Sequence, residues 1–171
     1  MAIAPASAWI REWLDIIRYI IFPDAALKDL MMIPAGTDIL KFNELYFIRA
    51  GYTSKLLTNE DVRVIYSFIP AYESRSQNII EQELSFDIYV KQEHSHDYGD
   101  DRLMKRAELI AERLNQLIGS NVHRMQVPKS RESTETKEVA YKFRCIGMSD
   151  MGTATIGYVR YNISFKFMRT I

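Results

Sequence analysis

Apolar residues recur at helical spacing through Ile10, Trp13, Leu14, Ile17, Ile20 and Ile21, while Arg11, Asp15 and Arg18 fall on the other side. This predicts an amphipathic helix over 7–22. Ser7 is placed to cap it, its hydroxyl accepting from an orphan amide of the first turn, and Pro23-Asp24 ends it. Ala25 to Met31 predicts a short second helix, and Ile33-Pro34-Ala35-Gly36 a turn. From 38 to 57 the periodicity weakens: Asp38 to Phe42 reads as a helical turn and Tyr46-Phe47-Ile48 as strand. Arg63 to Ile69 is dense in β-formers on both faces and is bounded by Pro70, the pattern of a central strand covered on both sides. Tyr72 to Gln82 is polar and predicts an exposed connection.

Leu84, Phe86, Ile88 and Val90 then alternate with Ser85, Asp87 and Tyr89, the signature of a half-buried strand. Asp100-Asp101 suits the positive end of a helix dipole. Leu103, Ala107, Ile110, Leu114 and Leu117 follow at helical spacing, and Gly119 is placed for a left-handed cap. A second long helix is therefore predicted at about 101–118. Met125-Gln126-Val127 predicts a short strand. Val139, Tyr141, Phe143 and Cys145 alternate with Ala140, Lys142, Arg144 and Ile146, and Val159 to Met168 alternates as the longest strand. Helices set between runs of strands predict an α+β fold, a largely antiparallel sheet packed against the two helices. No repeat or composition break divides the chain, so 1–171 reads as a single domain with exposed loops or arms at 128–138 and 147–157.

Composition narrows the function classes. Lys+Arg and Asp+Glu number 22 each, so the formal net charge is zero, which lacks the usual footprint of a DNA-binding or anionic-membrane protein. The 47% hydrophobic content is enough for a core. With one cysteine there is neither an intrachain disulfide nor a cysteine metal cluster. Arg11, Glu12, Asp15 and Arg18 break the first apolar stretch, so no export signal is expected, and no run is long enough for a membrane helix.

Candidate chemistry is sparse. His94-Ser95-His96-Asp97 gathers metal-ligand types, but a third ligand would have to come from His123 or from acidic side chains. Cys145 falls on the apolar side of a strand, where a buried structural thiol is expected. Gly147 and Gly152 have the glycine spacing of a phosphate loop, yet Thr153-Ala154 stands where Lys and Ser/Thr are needed. Ser149 and Asp150 lack the Gly-x-Ser-x-Gly elbow. No catalytic, cofactor-binding or metal residue is assigned, and no cofactor is expected. The exposed connections supply the candidate interaction residues instead: Lys129, Arg131, Glu132, Glu135, Lys137 and Glu138 in the polar tract, with Ser149 and Asp150 in the following loop. The tract Lys129 to Glu138 lacks apolar anchors and is expected to be mobile until a partner orders it.

Four stretches carry a family likeness. They are Leu30-Met31-Met32-Ile33-Pro34 with Phe42 and Tyr46-Phe47-Ile48; Leu84 to Val90; the helix Asp101 to Ile118; and Gly157 leading into the strand that ends at Phe167. In order and hydrophobic type they make the chain resemble the tail terminator, or tail-to-head joining, proteins of tailed bacteriophages. The resemblance implies a non-enzymatic virion protein at the tail-head junction, assembled in the host cytoplasm. Its copies would form a ring, usually a hexamer, that caps the tail tube and stops its growth. The ring would contact the tail tube protein on one face and the head connector or head-completion protein on the other. DNA would only pass through it, and no membrane would be involved. The alternatives are another neck component (a head-closure or connector protein), a tail tube protein, a small metal-dependent hydrolase built on His94, His96 and Asp97, and a nucleic-acid-binding module.

Overall fold

The computed structural model describes residues 8–51, 60–73, 79–97, 104–119, 125–139, 143–152 and 157–170. Helix α1 (Ala8–Ile16) runs on as a π turn, Ile17–Ile21; the expected cap, Ser7, lies outside the described residues. Helix α2 (Ala25–Leu30) is capped by Asp24, whose Oδ1 accepts from the Leu27 N–H at 2.7 Å. Asp38 likewise caps α3 (Ile39–Lys41), which continues as a π turn, Phe42–Tyr46, directly into β1 (Phe47–Arg49). The remaining elements are β2 (Val62–Glu73), β3 (Ile79–Lys91), β4 (His96–Asp97), β5 (Met104–Lys105), α4 (Arg106–Leu114) with a π turn at Asn115–Gly119, β6 (Met125–Pro128), β7 (Thr136–Val139), β8 (Arg144–Asp150) and β9 (Tyr158–Thr170).

The fold is α+β. Five strands form the main sheet in the order β1-β2-β3-β9-β8; β1 joins β2 in parallel and every other pairing is antiparallel. β4-β5 and β6-β7 are separate two-stranded ribbons. The alternation in 84–90 sets the phase of β3. Leu84, Phe86, Ile88 and Val90 are fully buried, as are Ile110 and Leu114 of α4 on the same side of the sheet. Tyr161, Ile163, Phe165 and Phe167 of β9 extend this layer, and Trp13 of α1 seats its ring within 5.6–6.0 Å of Tyr66, Phe68, Phe86 and Phe143. The opposite face buries Ile48 of β1 and Ile65 of β2 but is polar over β3 and β9. There the Arg160 guanidinium donates to Asp87 at 2.8 Å, and Asn162 Nδ2 donates to both Ser85 Oγ and Asp87 Oδ1, also at 2.8 Å.

β2 is the interior strand that its sequence predicts, flanked by β1 and β3, with Arg63, Val64, Ile65 and Tyr66 buried on both its faces. Other expectations are corrected. Pro70 does not stop β2; the pairing with β3 shifts register between Ile69 and Tyr72, a bulge that accommodates a residue with no N–H to give. Within Tyr72 to Gln82, Tyr72-Glu73 belong to β2 and Ile79 to Gln82 to β3 rather than to a connection; residues 74–78 lie outside the described residues. The second helix begins at Arg106, after β5 has used Met104 and Lys105; Asp100, Asp101 and Leu103 lie outside the described residues. Gly119 is not a left-handed cap. A Cβ there would stand 2.6 Å from the Phe165 ring and 2.2 Å from Asn115 Oδ1, so glycine is required for close helix–strand approach. Gly119→Ala is expected to cost about 1–3 kcal/mol by overpacking, read as a lower urea midpoint; an unchanged midpoint would show that the helix end yields freely.

Candidate assembly surface

Among the described residues the sheet ends at β8, which pairs with β9 on one side only. The Met151 N–H to Arg160 C=O bond, 2.9 Å, fixes the phase of this ladder. By the alternation of antiparallel pairs, Met148 and Asp150 turn their backbone groups away from β9 toward the open edge. A register shift between Cys145 and Gly147 sets Ile146 in a bulge, 40% exposed, and Met151 beyond the strand is 49% exposed. An edge strand flanked by exposed apolar side chains is a site for pairing or covering by another chain.

Ser149 and Asp150, expected in a loop over 147–157, sit on this strand, since Gly147 to Asp150 belong to β8; residues 153–156 of that stretch lie outside the described set. Ser149 Oγ lies 3.5 Å from Met151 Sδ. Asp150 is ion-paired with Lys105 and accepts from the Gly152 N–H at 2.9 Å. The Lys105 hydrogen bond, then the Gly152 bond, hold its carboxyl below the ordinary aspartate value.

The tract 128–138 is not a loose arm. Its ends are strands, with Pro128 in β6 and Thr136 to Glu138 in β7, so only the turn between them is loop. The polar sequence forms a hairpin because its partners are internal. Lys129 meets Glu135 at 2.6 Å, Thr136 Oγ1 donates to Gln126 Oε1 at 2.9 Å, and Lys137 reaches Asp15 of α1 at 2.7 Å. Fully buried Val127 anchors the ribbon in the core. Arg131 and Glu132 stand exposed in the turn; the side chain of Glu138 lies outside the described residues. The hairpin is tied to α1 and the β8 segment to β5, so the two predicted sets attach to different elements.

The histidine cluster does not converge as its spacing suggested. His96 Nδ1 stands 2.9 Å from Ser95 Oγ. His94 Nε2 instead faces Asp61 at 3.7 Å and Glu93 at 3.6 Å. These three could offer one ligand atom each to an ion. Lys91, however, already places its ammonium 2.9 Å from Asp61, supplying a cation from within the chain and lowering that carboxyl's pKa. His123 lies outside the described residues. Cys145 is half-buried on the core-facing side of β8, its thiol directed at the Gly147 carbonyl at 3.8 Å.

The exposed apolar residues that mark the edge were missed by sequence reasoning. The available signal was Ile146, a large apolar residue in a column otherwise holding Ala140, Lys142 and Arg144. Among the described residues no helix is long and apolar enough to cross a membrane. No protein-family model matches the chain, and no curated protein matches it.

Proposed function

We propose that the chain is a structural protein of tailed-bacteriophage virions, a tail terminator. Copies associate head to tail into a closed ring that caps the tail tube, stops its growth and joins the tail to the head connector. The observation that carries this reading is the free β8 edge with Ile146 and Met151 exposed beside it. A seven-residue strand left open in this way is relieved when a neighbouring copy covers it. Contacts between two different patches of identical subunits close into a ring when the rotation allows. The order of elements, a leading helix and short strand, a β-hairpin, one long helix and a long final strand, supports the family likeness. Zero net charge suits a passage through which DNA must slide without being held.

Loss of the chain from a producing phage is the test. Tails that fail to join heads, with tubes of uncontrolled length in electron micrographs, are expected. Normal tails joined normally to heads would overturn the proposal.

A further inference from the structure

We propose that a cationic groove along α1 and an acidic face on α4 are the two halves of one head-to-tail contact, so that the groove of each copy receives the α4 face of the next. This rests on the ring-forming reading above and assigns its surfaces.

The groove encloses about 370 Å³. Arg11, Leu14, Asp15 and Arg18 of α1 form one wall, Ile39 and Asn43 the other, and Lys137 of the hairpin closes it. Lys137 and Asp15 neutralise each other. Among the described residues neither Arg11 nor Arg18 has an ion-pair partner, so the groove keeps two uncompensated positive charges. Its rim is apolar as well as charged, since Leu14 is 46% exposed. Anionic groups and an apolar side chain are what such a groove would take.

The α4 face offers the complement. Glu108 and Glu112 stand one turn apart, a like-charge pair that does not favour the helix by itself. Among the described residues neither forms a salt bridge. Both lie close enough to Tyr161 to push its phenol pKa up, after the larger effect of burial. Beside them the Lys105–Asp150 pair is neutral, and exposed Met151 follows Asp150 in the chain. Two carboxylates outside any salt bridge, one ion pair and an exposed apolar side chain thus mirror two guanidiniums outside any salt bridge, one ion pair and exposed Leu14. The surfaces are built on different elements. Asn43 sits on the π turn that packs against β1 and β2, and the α1 wall crosses the core face, its Trp13 reaching Phe86 and Phe143, while α4 packs against β3 and β9. Two different patches on one chain make a heterologous contact.

Charge reversal in both directions tests this, with assembly read by native mass spectrometry and sedimentation. R11E/R18E and E108K/E112K, each confirmed folded by circular dichroism, are expected to need at least about tenfold more protein to assemble than the unchanged chain. Mixed in equal amounts they are expected to co-assemble, because every junction then pairs opposite charges. Assembly of either variant alone at the wild-type concentration overturns the assignment, as does failure of the folded pair to co-assemble. If a variant does not fold, salt decides. Wild-type assembly is expected to weaken as ionic strength rises from about 0.05 to about 1 M, and assembly indifferent to salt overturns the assignment. A wild-type chain that stays monomeric throughout removes the ring reading itself, whereas assembly that survives the charge reversals removes only this pair of surfaces.

Discussion

Phe86→Ala lowers the stability of the chain by about 3–5 kcal/mol, the largest loss expected from any single substitution considered. Phe86 is fully buried at the middle of β3, the strand flanked by β2 and β9. Its ring stands 5.9 Å from Trp13 of α1, 5.7 Å from Phe47 of β1, 6.4 Å from Tyr66 of β2 and 5.7 Å from Phe165 of β9. One side chain therefore joins the leading helix to three other strands. Truncation leaves a cavity walled by stiff rings that cannot collapse into it, and it removes ring contacts, of which the edge-to-face one with Phe165 is worth about 0.5–1.5 kcal/mol. A domain of this size has about 5–15 kcal/mol in total, so the variant should unfold at markedly lower urea. Phe86→Leu, which refills most of the volume, should recover the larger part. A loss below about 1 kcal/mol for the alanine variant would mean that the ring cluster is not the centre of the core.

Asp24→Ala is expected to cost about 2–3 kcal/mol, because one carboxylate serves two elements. Its Oδ1 caps α2 through the Leu27 N–H, and the same side chain receives Arg113 of α4, Nε to Oδ1 at 3.0 Å and NH2 to Oδ2 at 2.5 Å. The Asp24 side chain is 12% exposed, but the Arg113 side chain is 33% exposed, so solvent screening moderates the ionic part. The Arg113 hydrogen bond holds the Asp24 carboxyl below its ordinary 3.8. A carboxyl depressed in the folded state contributes stability that is complete above the unfolded value and disappears as pH falls through the folded one. Thermal midpoints of the wild type should therefore decline below pH about 4, and those of Asp24→Ala should decline less. Parallel curves for the two proteins would show that Asp24 is not a principal acid-labile contact.

The amphipathic faces were legible because burial on one side only leaves a periodic trace. Leu84 to Val90, Ile110 with Leu114, and Tyr161 to Phe167 all face the core as their spacing implied. What escaped were features without a periodic signature. Pro70 is a strong local stop signal, but a bulge let pairing with β3 continue past it. The tract after Pro128 has no apolar residue, so nothing local announced a hairpin; its order comes from Val127 and from Asp15, more than a hundred residues away in the chain. Asp61 was invisible as the neighbour of His94 because the contact depends on β2 and β3 pairing. The charged residues of the α1 and α4 surfaces were plain in the sequence, but which of them lacked partners was a matter of tertiary placement.

The position of β9 has a consequence for biosynthesis. It is the last strand in chain order, yet it lies between β3 and β8 and holds both in register. During translation β3 emerges early and must wait for its second partner, which begins at Tyr158, while β8 has no sheet to join until β9 follows it. Such non-local pairing is slow and leaves apolar strands uncovered in the nascent chain. It also acts as a timer: the open β8 edge takes shape only once β9 has been made, so a partly synthesised copy has no β8 edge to offer a neighbour.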